Sequence, residues 1–120
     1  MTTSETGRAG EQAAADHLHR AGYEIRALNW RHGRYELDIV AQKEFTLHIV
    51  EVKTRRQGSL TPPEAAITPQ KFRALRRAAS CYITATNCDM EVQFDLAAVE
   101  LAPDGTARVE LVERAMECHW

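Results

Sequence analysis

Asp38, Glu51 and Lys53 are the residues in this chain whose types and spacing suggest a definite chemistry. Side chains two apart on a strand share a face, so Glu51 and Lys53 lie together with Leu47 and Ile49, and Glu36 lies with Asp38. A two-residue hairpin with Lys43 and Glu44 at its tip pairs Gln42 with Phe45, sets Asp38 opposite Ile49 and sets Glu36 opposite Glu51. Asp38 and Glu51 are then diagonal neighbours on one face, their backbones roughly 7 Å apart. A one-residue slip in register would part them. Carboxylates gathered in this way repel one another and lose hydration, which is costly for each unpaired charge, so a positive charge is expected beside them. Lys53 supplies one. A hard, oxygen-preferring cation such as Mg²⁺ or Mn²⁺ supplies the rest, held by Asp38, Glu51 and the backbone carbonyl of Val52, with waters completing its shell. Such an ion polarises a phosphodiester oxygen and acidifies a bound water, while Lys53 orients that water or balances charge in the transition state. The competing reading is an ordinary Glu-Lys ion pair on an exposed strand.

Two helical charges point to the same place. Projected at about 100° per residue, the second helix puts Leu75, Ala78 and Tyr82 on its apolar face, with Lys71 inside that stripe and Arg73, Arg76 and Arg77 pointing away. A lysine in a first turn is opposed by the helix dipole and is best tolerated when a carboxylate or a phosphate sits at the helix start. In the first helix Glu11 likewise falls on the stripe of Gly7, Ala14 and Leu18. One shared site facing the sheet carboxylates explains both placements; snorkelling at the rim of each apolar face is the simpler alternative.

The elements that must hold these residues can be read in order. An Ala-, Glu- and Gln-rich helix runs from about Ser4 to Ala21 and stops at Gly22-Tyr23. Strands are expected over Tyr23–Trp30, Tyr35–Ala41 and Phe45–Thr54, joined by a turn at Arg31–Arg34 and a tight connection at Gln42–Glu44, which together make an antiparallel meander. The run from Leu47 to Val52 is apolar on both faces, as in a central strand covered above and below. Gln57–Pro63 should be a loop. Thr68 as N-cap and Pro69 at the first helical position open a second helix reaching about Ala85. Met90–Glu100 is a further strand, Pro103-Asp104-Gly105 a turn, and Ala107–Val112 closes a hairpin. The order is αβββαββ.

At 120 residues the chain suits one domain, with a core over about residues 7–100 and a C-terminal hairpin and tail over 101–120. With 44% hydrophobic and 27% charged residues, the composition indicates neither disorder nor a fibrous repeat. No apolar run approaches a membrane span and the first residues lack a signal-peptide pattern, so a cytoplasmic location is expected. Cys81, Cys88 and Cys118 are odd in number and lack a C-x-x-C spacing, which leaves a disulfide framework with little support. Cys118-His119 could hold a soft metal only with Cys81 or Cys88 as partners. The net charge of −2 conceals a segregation: residues 53–77 hold 7 basic and 1 acidic side chains, and residues 78–120 hold 2 and 8. A basic block between acidic ones suits a polyanion. Arg55, Arg56, Lys71, Arg73, Arg76 and Arg77 are the candidates for nucleic-acid phosphate contacts, which position a strand without reading its sequence.

The residues also resemble a known family. Gly7 with G-E-Q-A-A-A from Gly10, A-G-Y-E-I from Ala21, N-W-R from Asn29, E-L-D-I-V-A from Glu36, V-E-V-K-T-R from Val50, P-E-A-A-I-T from Pro63, Lys71, and F-D from Phe94 look like the YraN family. These bacterial proteins are similar in fold to the restriction-endonuclease-like (tRNA-endonuclease-like) PD-(D/E)xK nuclease superfamily. The resemblance runs from about Gly7 to Val99. It implies a three-layer α/β domain with a central mixed sheet and flanking helices. Asp38 and the Glu51-x-Lys53 pair would hold the metal and catalytic positions, with Glu11 as accessory acid and further metal ligand. Tyr35 stands where the family usually has Gly, and Gln93 where a basic residue is common. The expectation is a Mg²⁺- or Mn²⁺-dependent nuclease-type domain acting on DNA or RNA, with Lys71 assisting and a homodimer compatible with cutting two strands. The alternatives are a nucleic-acid-binding module that keeps the fold without turnover, and a protein-interaction domain with a structural acid cluster.

Overall fold

A computed structural model describes residues 2–116. Cys118 and His119, the sequence candidates for a soft-metal pair, lie outside them. The elements are α1 (Thr3–Arg20), β1 (Glu24–His32), β2 (Tyr35–Lys43), β3 (Thr46–Arg56), a short 3-10 turn (Pro63–Ala66), α2 (Pro69–Thr86), β4 (Glu91–Leu101) and β5 (Ala107–Val112). The order αβββαββ is as expected, with the 3-10 turn added at the end of the predicted loop. Local chemistry sets the helix ends. The hydroxyl of Thr2 accepts the amide of Glu5 at 3.1 Å, and that of Thr68 accepts the amide of Lys71 at 3.0 Å. Asn87 caps α2 in the left-handed region at φ 54°.

The five strands form one mixed sheet in the order β1-β2-β3-β4-β5, antiparallel except for the parallel pair β3 and β4. Parallel neighbours need a crossover, which the 3-10 turn and α2 supply. Each face is covered by one helix. Ala14, Ala15 and Leu18 of α1 pack with Ile39, Ala41, Val50, Ala97 and Val99. Phe72, Leu75, Ala78, Ala79 and Tyr82 of α2 pack with Leu37, Val40, Leu47, Ile49 and Met116 on the other side. The result is a three-layer α/β/α arrangement with the doubly covered β3 in the middle, as its unbroken apolar run requires. Among the described residues no helix is long and apolar enough to cross a membrane.

The β2–β3 hairpin corrects one expectation. Lys43 pairs with Thr46, so Glu44 and Phe45 form the tip instead of Lys43 and Glu44, and Ile49 faces Val40 instead of Asp38. Lys43 stays in the strand because its ammonium reaches the Ala21 carbonyl at 3.2 Å and lies 4.8 Å from the Tyr23 ring centre. Glu44 takes the positive φ that the turn needs, at 55°, and Phe45 is left 86% exposed. The difference is two residues, an even shift, so the paired residues from Ile39 to Lys43 keep their expected faces.

Beneath the starts of β3 and β4 lies a buried polar group outside the predicted site. Nδ1 of His48 is 2.7 Å from Oδ2 of Asp95, and Oδ1 of Asp95 accepts the Gln93 side-chain amide and the Arg114 backbone amide, each at 2.9 Å. Asp95 is wholly buried, and it ties the segment after β5 to the sheet.

Candidate functional site

The ladder between β2 and β3 runs from Lys43↔Thr46 to Ile39↔Val50 and stops there. Beyond that point β2 stays with β1 as far as His32↔Tyr35, while β3 stays with β4 as far as Arg56↔Leu101. The sheet therefore opens into a wedge at the next position in line, which is Asp38 beside Glu51. β1 and β2 share an irregularity at this row. Trp30 and Ala27 of β1 face α2, as do Leu37 and Val40 of β2, so each pair is three residues apart where strict alternation needs an even number. In β1 the skip includes Asn29, at φ 50°, which lies between the Leu28↔Ile39 and Trp30↔Leu37 pairs as Asp38 does on β2.

Opening the ladder frees backbone groups that must find partners. The Val52 amide donates to Oδ2 of Asp38 at 2.9 Å, so a side chain takes the place of the missing strand partner. The Asp38 carboxyl also comes within hydrogen-bonding reach of the buried Glu51 carboxyl. Burial, then the hydrogen bond and negative charge of Glu51, push the Asp38 carboxyl up to about 8, against the smaller opposing effects of the Val52 amide and Lys71. At neutral pH this pair holds a proton in the absence of another cation.

The two helices reach the wedge from opposite faces. Lys71, in the first turn of α2, places Nζ 2.9 Å from Oε2 of Glu51. That ion pair reaches a buried oxygen. Burial by itself would lower the Lys71 pKa, but the bond to Glu51 and the charges of Glu51, Asp38 and Glu36 outweigh it and raise it. From α1, Glu11 meets Asn29, whose amide, turned with its nitrogen toward the carboxylate, donates at 3.0 and 3.2 Å. Burial first and the charge of Asp38 next raise the Glu11 carboxyl above its usual range. Gly10 permits this approach: a Cβ there would stand 1.8 Å from Oγ1 of Thr54 on β3.

The wedge thus brings together Asp38, Glu51, Lys71 and Glu11. Lys53 shares the strand face of Glu51, but its side chain is exposed and makes no ion pair among the described residues. The cation that neutralises Glu51 here is therefore Lys71, not Lys53. Val52 contributes its amide to the described contact. Glu36 is exposed and pairs with Arg31 at 3.5 Å. Arg73, Arg76 and Arg77 line an open recess on the outer side of α2, and Arg56 is exposed. Arg55 gives one donor to the carbonyl of Thr61, which ties down the loop after β3, and its buried Nε has no partner among the described residues. Asn29 escaped the sequence reading of the site. Its signal was there in N-W-R, but a positive φ in mid-strand has no period to reveal it.

Comparison with known proteins gives the chain its place. The sequence model of the Uncharacterised protein family UPF0102 matches residues 10–99. The chain belongs to the UPF0102 family, also called YraN. It is 44% identical over 113 residues to a UPF0102 protein of Porphyromonas gingivalis, an overlap of 93% of this chain and 84% of that one. A UPF0102 protein of Bacteroides fragilis is 47% identical over 109 residues, 91% of this chain and 89% of that one. One from Symbiobacterium thermophilum is 43% identical over 110 residues, 91% and 93%. The UPF0102 match includes Glu11, Asn29, Asp38, Glu51, Lys53 and Lys71, and it ends before β5.

Proposed function

We propose that this UPF0102 protein is a divalent-metal-dependent nuclease-type domain of the restriction-endonuclease-like kind, hydrolysing phosphodiester bonds of DNA or RNA. The observation that carries the reading is the half-buried Asp38 carboxyl beside the buried Glu51 carboxyl at the point where β2 and β3 part, with Lys71 against Glu51 at 2.9 Å. Mg²⁺ is usually held by one or two carboxylates with several waters retained, and this pair is such a donor set. Among the described residues no three His, Cys, Asp or Glu side chains are grouped to hold an ion, so waters would complete the shell of any ion held by this pair.

In this reading Asp38 and Glu51 hold Mg²⁺ or Mn²⁺, with the Val52 carbonyl as a further oxygen donor and Glu11 as accessory acid at the rim. The bound ion would supply Lewis acidity to a phosphoryl oxygen and to a water. Lys53, exposed and on the Glu51 face with no ion pair among the described residues, is the group available to orient the attacking water. Lys71 lies against Glu51 and balances charge. Arg55, Arg56, Arg73, Arg76 and Arg77 hold the phosphate backbone.

A divalent-ion titration with single-stranded, duplex and branched oligonucleotides tests this. Cleavage that requires Mg²⁺ or Mn²⁺ and is lost in Asp38→Asn and Lys53→Ala is expected; undiminished cleavage in those variants removes the mechanism. The second reading is a binding module without turnover. Its support is the Lys71–Glu51 ion pair, which already gives the acid pair a positive partner. Salt-sensitive binding with no cleavage in either metal would select it.

A further inference from the structure

The outer end of the β1–β2 hairpin carries a feature that the carboxylate site does not use. His32 and Tyr35 are the last paired residues of the hairpin, closed by a turn at Gly33-Arg34 with Gly33 at φ 60°. His32 is exposed, and its ring lies parallel to that of Trp30, at 10° with centres 6.1 Å apart. Trp30 in turn meets Tyr82 of α2 edge-on at 5.4 Å, so the column is braced from the core. Across the hairpin, the Arg34 guanidinium lies 5.4 Å from the Tyr35 ring centre, and both Arg34 and Arg77 reach its hydroxyl. Arg76 lies 5.7 Å from the Phe72 ring. Trp30 and Tyr35 both pack toward α2, the layer that brings Lys71 to Glu51.

We propose that this hairpin end is a stacking platform for unpaired nucleotides, with His32 and Tyr35 offering ring surfaces and Arg34, Arg73, Arg76 and Arg77 holding the flanking phosphates. It rests on the nucleic-acid reading given above and narrows it to strands with unstacked bases beside the cut. A positively charged groove with aromatic rings set among the charges is the arrangement that binds single strands, because every base has a face to stack and none needs to be read. A duplex cannot use it, since its base faces are already covered. The spacing also fits: Tyr35 precedes Asp38 by three residues of β2, roughly 10 Å at about 3.3 Å per residue. A base on Tyr35 thus lies within a few nucleotides of the acid pair.

The test is fluorescence anisotropy on the full chain carrying Asp38→Asn, in EDTA, with a labelled single-stranded DNA, the same sequence as RNA, and a blunt DNA duplex. Tyr35→Ala and His32→Ala are each expected to weaken single-strand binding about tenfold and to leave duplex binding within about twofold. Tyr35→Phe should hold the single strand as the parent does, and Tyr35→Leu, similar in bulk but without a ring, should behave as Tyr35→Ala. The DNA and RNA arms identify which strand the platform takes. Equal losses on single strand and duplex, no loss on either, a Leu variant as good as Tyr, or no single-strand binding at all would each overturn the platform. Cleavage by the unsubstituted chain is measured separately on the same oligonucleotides. Ring-dependent binding without metal-dependent cleavage would remove only the hydrolytic reading, and cleavage without ring dependence only the platform.

Discussion

On the proposed reading, Asp38 is where protons and metal would compete. Its carboxyl is raised from near 3.8 to about 8 by burial and by Glu51, so the folded state holds a proton that the unfolded chain has released. The stability this contributes is complete below about pH 4, and it is lost as pH rises toward and through 8. Thermal melts of the metal-free protein should therefore fall in midpoint between those limits, and Mg²⁺, by replacing the proton, should recover the loss most strongly at the alkaline end. A slope unchanged by Mg²⁺ would count against metal at this pair. Asn at position 38 keeps an acceptor for the Val52 amide and gains a donor for Glu51. Asp38→Asn is thus expected to raise the metal-free midpoint by a few degrees at pH 8 and to abolish the Mg²⁺ increment; a lower midpoint would contradict the crowding of charge described here.

At the scale of elements, α1 carries Glu11 to the wedge only because Gly10 lets the helix lie against Thr54. Gly10→Ala gains about 1 kcal/mol in helix propensity, but overpacking at a contact this short costs about 3 kcal/mol. A net loss of about 2 kcal/mol in denaturant unfolding is expected, with most of it restored by Thr54→Ala in the same chain. Failure of that rescue would mean that Gly10 matters for another reason. The elements also divide what could be read from what could not. Thr68-Pro69 announces the start of α2 because capping is local chemistry, and Ala107–Val112 is the predicted last strand without change. The β2–β3 register was missed by two residues because Lys43 is held in the strand by Ala21 and Tyr23, which are distant in sequence. Parity survived, and with it the meeting of Asp38 and Glu51. The matched skips around Asn29 and Asp38 and the supply of Glu51's cation by Lys71 depend on three strands and a helix at once, so no single periodicity exposes them.

For the whole molecule, the buried Asp95 joins parts of the chain distant in sequence. It accepts from the Gln93 side chain and the Arg114 amide and pairs with His48, joining β3, β4 and the segment that ends in the buried Met116. Asp95→Ala would strand these partners in the interior and should cost about 3–5 kcal/mol. Chemical denaturation measures this, and a loss under about 1 kcal/mol would show that water repairs the gap.

The parallel pairing of β3 with β4 has a consequence for how the chain folds. The β1–β3 meander is made of short-range contacts, whereas β4 can join only after α2 has crossed the sheet, so the acid pair is expected to assemble before Lys71 is delivered to it. For that interval the two carboxyls face each other with no lysine to relieve them. In stopped-flow refolding the rate should accordingly slow between about pH 4 and about pH 8, from the ordinary carboxyl range to the folded value of Asp38, and Asp38→Asn should fold at a rate less dependent on pH.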